Sequence, residues 1–419
     1  VATAIGLDFG TTNSAIAIAD DAGVRLVRFG DASTFRSVLF FDAEERGPDR
    51  RPLALAGPAA IERYLASDGA GRLVQSMKSY LASRGFKATQ VFTSVYTLEA
   101  MIALVLAALR AAAPGPGRVV VGRPVRFAGA DSADDDAYAV GRLAAALAQA
   151  GFDAETLSFE HEPVAAAYHV ERRLGADELV LVADFGGGTS DFCLIRVGPS
   201  FAAAPRPILG VEGVALAGDA FDGRILRHLV APELGRGGSY VIDGKRMAVP
   251  PWLFGHLERW HHLSFLKTPE NLTLLERIAD GSTGPQRDRI AAFRHVIDND
   301  LGYHLYRAVE RAKVELSSRA HATLRFPEPR IEKTFARDEL EGWIRPELEA
   351  IAAAVDRLLA RTGVEARAID RVFMTGGSSF VPAVRRIFTE RFGAERLIGG
   401  DELTSIASGL ALRGRDALG

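Results

Sequence analysis

Short strand-like runs closed by glycine-rich turns recur along the chain. Thr3 to Leu7 leads into Asp8-Phe9-Gly10-Thr11-Thr12-Asn13-Ser14, and Ala15 to Ala19 is apolar again. Leu179 to Ala183 repeats the figure with Asp184-Phe185-Gly186-Gly187-Gly188-Thr189-Ser190, followed by Phe192 to Val197. Both copies predict strand, tight turn, strand. A third turn, Gly376-Gly377-Ser378-Ser379, follows the apolar run Arg371 to Thr375. It precedes a helical pattern from Val381 to Phe392 with Pro382 in the first turn.

Between these landmarks, residues 1–40 predict strands, including Val24 to Phe29 and Ser37 to Phe41, and residues 42–58 predict an exposed loop. Residues 59–112 predict largely helix, ending with Met101 to Ala112, which Pro114-Gly115-Pro116-Gly117 stops. Arg118 to Gly122 reads as a buried strand. Asp131 to Asp136 reads as a solvated loop and the acidic start of a helix running to about Ala150, rather than as a metal site. Glu160-His161-Glu162-Pro163 opens a helix from Val164 to about Leu174. After the second hairpin come a Pro/Ala-rich turn, the segment Gly218–Asp222, and helices to about Ser318, broken near 235–245 and 281–285. His321 to Pro327 reads as strand, Asp338 to Arg361 as amphipathic helix, and Leu403 to Leu412 as a last helix.

Composition narrows the class. Apolar residues make 48% of the chain and charged residues 25%, which fits a globular protein. A net charge of −3 predicts no nucleic-acid surface and no polybasic membrane patch. No apolar run reaches about 18 residues, so no membrane span is expected. Asp8 interrupts the first apolar run, so no signal peptide is expected, and processing or trimming accounts for a start at Val1. The single cysteine, Cys193, reads as a small buried hydrophobe and fits a reducing, cytoplasmic setting. Trp252, His256, Trp260, His261 and His262 cluster, but without cysteine and at no common zinc spacing, so they read as aromatic packing on a helix surface.

Glycine in a tight turn lets backbone N–H groups close on an anion. An aspartate at the end of the incoming strand can hold a hydrated Mg²⁺ beside phosphates. Neither turn carries the Gly-Lys-Ser/Thr of a Walker loop. Two such hairpins predict two similar lobes with a nucleotide clamped between them. Lys78, considered alone, reads as a surface lysine on an amphipathic helix.

Taken together and in order, these motifs resemble the ATPase domain of the seventy-kilodalton heat-shock chaperones, the DnaK type, within the actin/sugar-kinase superfamily. The resemblance rests on Ile5–Ser14, Val182–Asp191, Glu162-Pro163-Val164-Ala165-Ala166-Ala167, Gly218–Asp222, Glu310–Ser318 and Gly376–Pro382. Gln75–Leu81, Gly122-Arg123-Pro124 and Pro250-Pro251-Trp252 look most like the YegD branch of short relatives. The resemblance implies an α/β, actin-like ATPase fold: two similar lobes, each a five-stranded mixed sheet with helices, plus two smaller outer subdomains around a nucleotide cleft. Lobe I would take 1–178, with its inner part at 1–40 and 113–178 and an outer insertion at 41–112. Lobe II would take 179–419, with its inner part at 179–217 and 336–419 and an outer insertion at 218–335.

Carried over, Asp8 and Asp184 would lie near Mg²⁺. Gly10, Thr11, Thr12 and Asn13 would line one side of the phosphates, and Gly186, Gly187, Gly188 and Thr189 the other. Lys78 falls at the catalytic lysine, and Thr189 at the γ-phosphate threonine. Glu162 and Asp191 match carboxylates that place the attacking water and the metal. Gly218, Asp219, Glu310, Lys313, Ser317, Gly376, Gly377 and Ser378 match the adenosine side. Val314 and Phe380 stand where the family has arginines flanking adenine; Phe380 can still stack on a base.

The function implied is Mg²⁺-dependent ATP binding and slow hydrolysis to ADP, coupled to lobe closure and read by a protein partner or co-chaperone. Ser158 replaces the family's J-domain-docking arginine, so J-domain docking is not carried over. With the chain ending at Gly419, client clamping within it is not expected. A nucleotide-binding pseudo-ATPase scaffold, a sugar-type small-molecule kinase and an actin-like filament protein stay open as alternatives.

Overall fold

The computed structural model describes residues 3–67, 70–113, 117–201, 206–259, 263, 266–399 and 404–417. The Pro-Gly-Pro stop at 114–116, part of the Pro/Ala-rich turn, Trp260, His261, His262 and Leu403 lie outside them. The chain divides into two compact units, residues 1–218 with 348–419, and residues 219–347.

The first unit holds two five-stranded mixed sheets. One runs Leu157–His161, Arg118–Arg123, Ala4–Asp8, Asn13–Asp20, Gly23–Leu26, and the two-residue strand Phe35–Arg36 adds to the start of Asn13–Asp20. The other runs Leu397–Ile398, Arg371–Thr375, Glu178–Phe185, Ser190–Val197, Ile208–Val214. The order is the same in both: two parallel neighbours on one side of a central hairpin and one antiparallel strand on the other. The repeated Asp-Phe-Gly motif is thus the visible part of a repeated sheet.

Each sheet continues into a helix, and the two helices cross. Glu162–Glu171 packs Val164, Ala166 and Val170 with Val180, Cys193 and Phe373 of the second sheet. Ser405–Asp416 lies on the first sheet, where a Cβ on Gly6 would stand 2.1 Å from Ala407 O. At the crossing, a Cβ on Gly409 would stand 1.7 Å from Ala165 O, so only glycine lets the backbones approach this closely. Cys193 is fully buried, as expected of a small hydrophobe, and burial pushes its thiol far up.

Three local expectations are corrected. Residues 42–58 are not an exposed loop: Val38–Arg46 is the central strand of a sheet with Pro52–Ala56 and Gly71–Gln75. Its Asp42 is buried because its carboxylate accepts from Glu44 N, Glu45 N and Arg63 Nε. Residues 59–112 are not largely helical: helices Pro58–Ala66 and Leu98–Ala112 enclose the strand 71–75, a tight turn Met77–Tyr80 and the hairpin 88–97. Charged residues in the strands hid the alternation there. The expected break near 235–245 contains the hairpin Ser239–Ile242/Lys245–Ala248.

The second unit is mostly helical. Pro251–Glu258, Pro269–Asp280 and Pro285–Asp298 each begin on a proline, whose missing N–H costs nothing in the first turn. Phe254 and Phe293 stack at 5.0 Å in its core. Helix Gly302–Ser318 and the hairpin His321–Phe326/Ile331–Ala336 complete it, with helix Arg337–Trp343. Among the described residues, no helix is long and apolar enough to cross a membrane.

Candidate phosphate and metal site

The two glycine loops occupy equivalent places, 9–12 and 186–189, at the ends of the central strands of the two sheets. In the first, Gly10 N donates to Ser14 Oγ at 3.3 Å, and a Cβ on Gly10 would meet Asn13 O at 2.0 Å. In the second, Gly186 N donates to Thr189 O at 3.0 Å. The loops lie close together: a Cβ on Gly188 would stand 3.7 Å from both Thr11 Oγ1 and Ser79 Oγ. Ser79 belongs to the turn that carries Lys78. The third turn is fastened to the second loop's strand, since Gly376 has φ +81° and its Cβ would meet Phe185 O at 2.1 Å. Gly377 and Ser378 continue that turn, Ser378 buried and Phe380 exposed.

Lys78 is not on an exposed helix face. It sits in a short turn after Ser76, which is itself buried with φ +53°, a conformation unfavourable for any side chain but glycine's. Lys78 is 7% exposed and its Nζ donates to Glu162 Oε1 at 2.6 Å. Gly122 makes room for that partner: a Cβ there would stand 3.2 Å from Glu162 Cγ. Burial pulls the ammonium pKa down, but Glu162, Asp8 and Asp191 outweigh it and raise it, so Lys78 stays charged.

Three aspartates surround this pair. Asp184 and Asp191 are directly opposite each other across the second hairpin, and both are buried. Burial, then Glu162, push Asp8 up to about 7 against the pull of Lys78. Burial, Glu162, Asp191 and Asp8 raise Asp184 well above the usual carboxylate range. Burial and Glu162 push Asp191 to about 7, against the Thr189 hydroxyl and Val125 N–H. Asp191 Oδ1 accepts from Val125 N at 2.7 Å, while Oδ2 is buried without a hydrogen-bond partner.

Four carboxylates with one ammonium leave an excess of buried negative charge, and like charges opposite each other on a sheet repel. The donors are all hard oxygens, the set that a hydrated Mg²⁺ requires. Among the described residues no three of these groups converge as direct metal ligands, so the donor set fits a Mg²⁺ held through its waters, with Asp8 and Asp184 at matching strand ends.

Within the second unit, Glu310, Lys313, Val314 and Ser317, the residues expected to face adenosine, share one face of helix Gly302–Ser318 by their spacing. Lys313 Nζ pairs with buried Asp222 at 2.7 Å, and Glu310 pairs with Arg307. Asp219 is pushed to about 6 by burial, then by Asp222 and Glu310, against Lys313. Val314 is exposed. Gly218, at the start of helix Gly218–Ile225, donates its N–H to Gly186 O at 3.5 Å. Residue-by-residue reading missed Asp222, whose signal was the aspartate closing Gly218–Asp222. It also missed Ser79 and Val125, whose roles are set by long-range contacts with no local signature.

Two sheets of one topology, each bringing a glycine hairpin and an aspartate near a common lysine, define a mixed α/β protein consistent with the actin-like ATPase fold. A family model described as "Hsp70 protein" matches residues 296–415. The chaperone protein DnaK of Thermus thermophilus is 26% identical over 98% of this chain and 60% of its own length. That of Thermosipho melanesiensis is 24% identical over 98% of this chain and 58% of its own. The chain is thus distantly similar to DnaK chaperones over nearly all its length, with an Hsp70 match confined to residues 296–415, and it spans about 60% of the length of these relatives.

Proposed function

We propose that this chain binds Mg²⁺–ATP and hydrolyses it slowly to ADP and phosphate. Nucleotide state would set lobe opening and closing, in the manner of a YegD-like short relative, and a protein partner or co-chaperone would read it. The observation that carries this reading is the buried Lys78–Glu162 pair set among Asp8, Asp184 and Asp191 between two glycine loops.

Phosphoryl transfer to water needs positioning and charge neutralisation more than covalent help. The N–H groups of 11–13 and 187–189 hold the phosphates, with the Thr11, Thr12 and Thr189 hydroxyls as further donors. Lys78 stays charged, offsets charge on the γ-phosphoryl and donates to the attacking water. Glu162 keeps Lys78 in place and, with Asp191, accepts hydrogen bonds from that water. Magnesium, when bound, supplies charge neutralisation at the phosphate oxygens, with Asp8 and Asp184 orienting its waters.

Val314 and Phe380, exposed where the family has arginines, favour a second reading: a scaffold that binds nucleotide without turnover. Phosphate release by the parent and by Lys78→Ala, with ATP binding followed by calorimetry, separates the two. The first reading predicts turnover in the parent, and binding with turnover lowered roughly 100-fold or more in the variant. Binding by both with hydrolysis by neither would establish the scaffold. Binding by neither would overturn both.

A further inference from the structure

Arg142, on helix Ala133–Gln149, belongs to neither glycine loop and to no carboxylate of the site, yet it is only 6% exposed. Its Nε donates to Glu99 Oε1 at 2.5 Å. Its Nη1 donates to two backbone carbonyls, Tyr80 O at 3.2 Å and Ser83 O at 3.1 Å. Those carbonyls end and follow the turn Met77–Tyr80 that carries Lys78. The same helix holds the segment again one to two turns before Arg142: Arg84 lies over the Tyr138 ring at 4.7 Å and donates to Asp135 Oδ1 at 3.0 Å. Arg142 covers the same ring at 5.5 Å. Glu99 is held below its usual range: burial opposes this, and the Arg142 guanidinium overcomes it.

We propose that Arg142 is a positioning residue for Lys78: by fixing the Tyr80 and Ser83 carbonyls it holds the lysine turn so that Nζ stays on Glu162. The turn needs an external hold. It begins at the strained Ser76, and its own backbone bonds are Ser79 N to Ser76 O, Leu81 N to Lys78 O and Ser83 N to Tyr80 O, none of which ties it to a neighbouring element. A lysine also has about 2 kcal/mol of rotamer freedom to lose. A planar guanidinium can serve two carbonyls and a carboxylate at once, which a compact ammonium cannot do in the same geometry.

The role of Lys78 in hydrolysis rests on the function proposed above; its placement by Arg142 does not. The test is therefore double. Competitive acetylation of Lys78 and amide exchange over residues 77–86, both read by mass spectrometry, are compared in the parent, Arg142→Lys and Glu99→Gln, with Lys313 as internal reference. Both rates rise roughly tenfold in Arg142→Lys, and less in Glu99→Gln, with Lys313 unchanged. In parallel, kcat for ATP falls roughly tenfold to hundredfold while KM stays within about twofold, as expected when a catalytic group is displaced and binding is not. Unchanged protection in folded Arg142→Lys would overturn the inference. If that variant does not fold, Glu99→Gln decides, and parent-like protection there overturns it. A parent that fails to hydrolyse ATP defeats the proposed function alone, because the labelling still tests the placement.

Discussion

Asp184 and Asp191 are neighbours that ordinary sheet chemistry would not pair, and their cost has a sign. With Asp8 and Asp191 raised to about 7 and Asp184 raised well above the carboxylate range, the folded protein holds more protons than the unfolded chain across that interval. Stability from these groups is full below the ordinary carboxylate value and is lost as pH rises through about 7. The melting temperature of magnesium-free protein should therefore fall between pH 5 and 8, and Mg²⁺ with ATP should raise it more at pH 8 than at pH 6. A pH-independent melting temperature would contradict the assignment. Asp191→Asn keeps an acceptor for Val125 N while removing the charge. Without metal it should melt about 2 °C higher at pH 8, with hydrolysis reduced, because sites that hold like charges trade stability for function. Cys193 should resist thiol reagents in the native state and react on unfolding, since a buried, neutral thiol is a poor nucleophile.

Among the elements, the crossing of helices Glu162–Glu171 and Ser405–Asp416 has the least tolerance. Gly409→Val would place side-chain atoms inside the Ala165 carbonyl, and overpacking of this kind costs about 1–3 kcal/mol or more. A denaturant midpoint equal to that of the parent would show that the helices are not packed this closely. Element by element, legibility followed the strength of the local signal. The two hairpins, strand Arg371–Thr375 and its glycine turn were readable because apolar runs meet glycine there. The first half of Val38–Arg46 was readable as the strand Ser37 to Phe41, but its second half and Pro52–Ala56 were not, because the strand passes into a charged turn and the buried Asp42 looks like loop chemistry until Arg63 is seen beside it. Leu157–His161 was obscured by Ser158 and Glu160, polar residues on a half-buried edge strand.

At the scale of the molecule, the repeat of Asp-Phe-Gly announced a duplicated architecture, and two sheets of the same order carry it. The loops and aspartates were legible because each copy vouches for the other. What the sequence alone could not give was Lys78 as a buried residue, since its partner Glu162 lies on a different element and the ion pair exists only once the first unit is assembled. Arg142 and Val125 were hidden for the same reason: their contacts are to backbone groups distant in sequence.

The central claim is that the hairpins and their buried acids form a site for a metal-bound nucleotide, and titration calorimetry with Mg²⁺–ATP near pH 7, in two buffers of different ionisation enthalpy, tests it most directly. Carboxylates raised to about 7 must ionise when the site fills, so binding should release protons and the measured heat should differ between the buffers. Saturable binding with a buffer-dependent heat is the predicted result. No binding, or binding with the same heat in both buffers, would contradict the account.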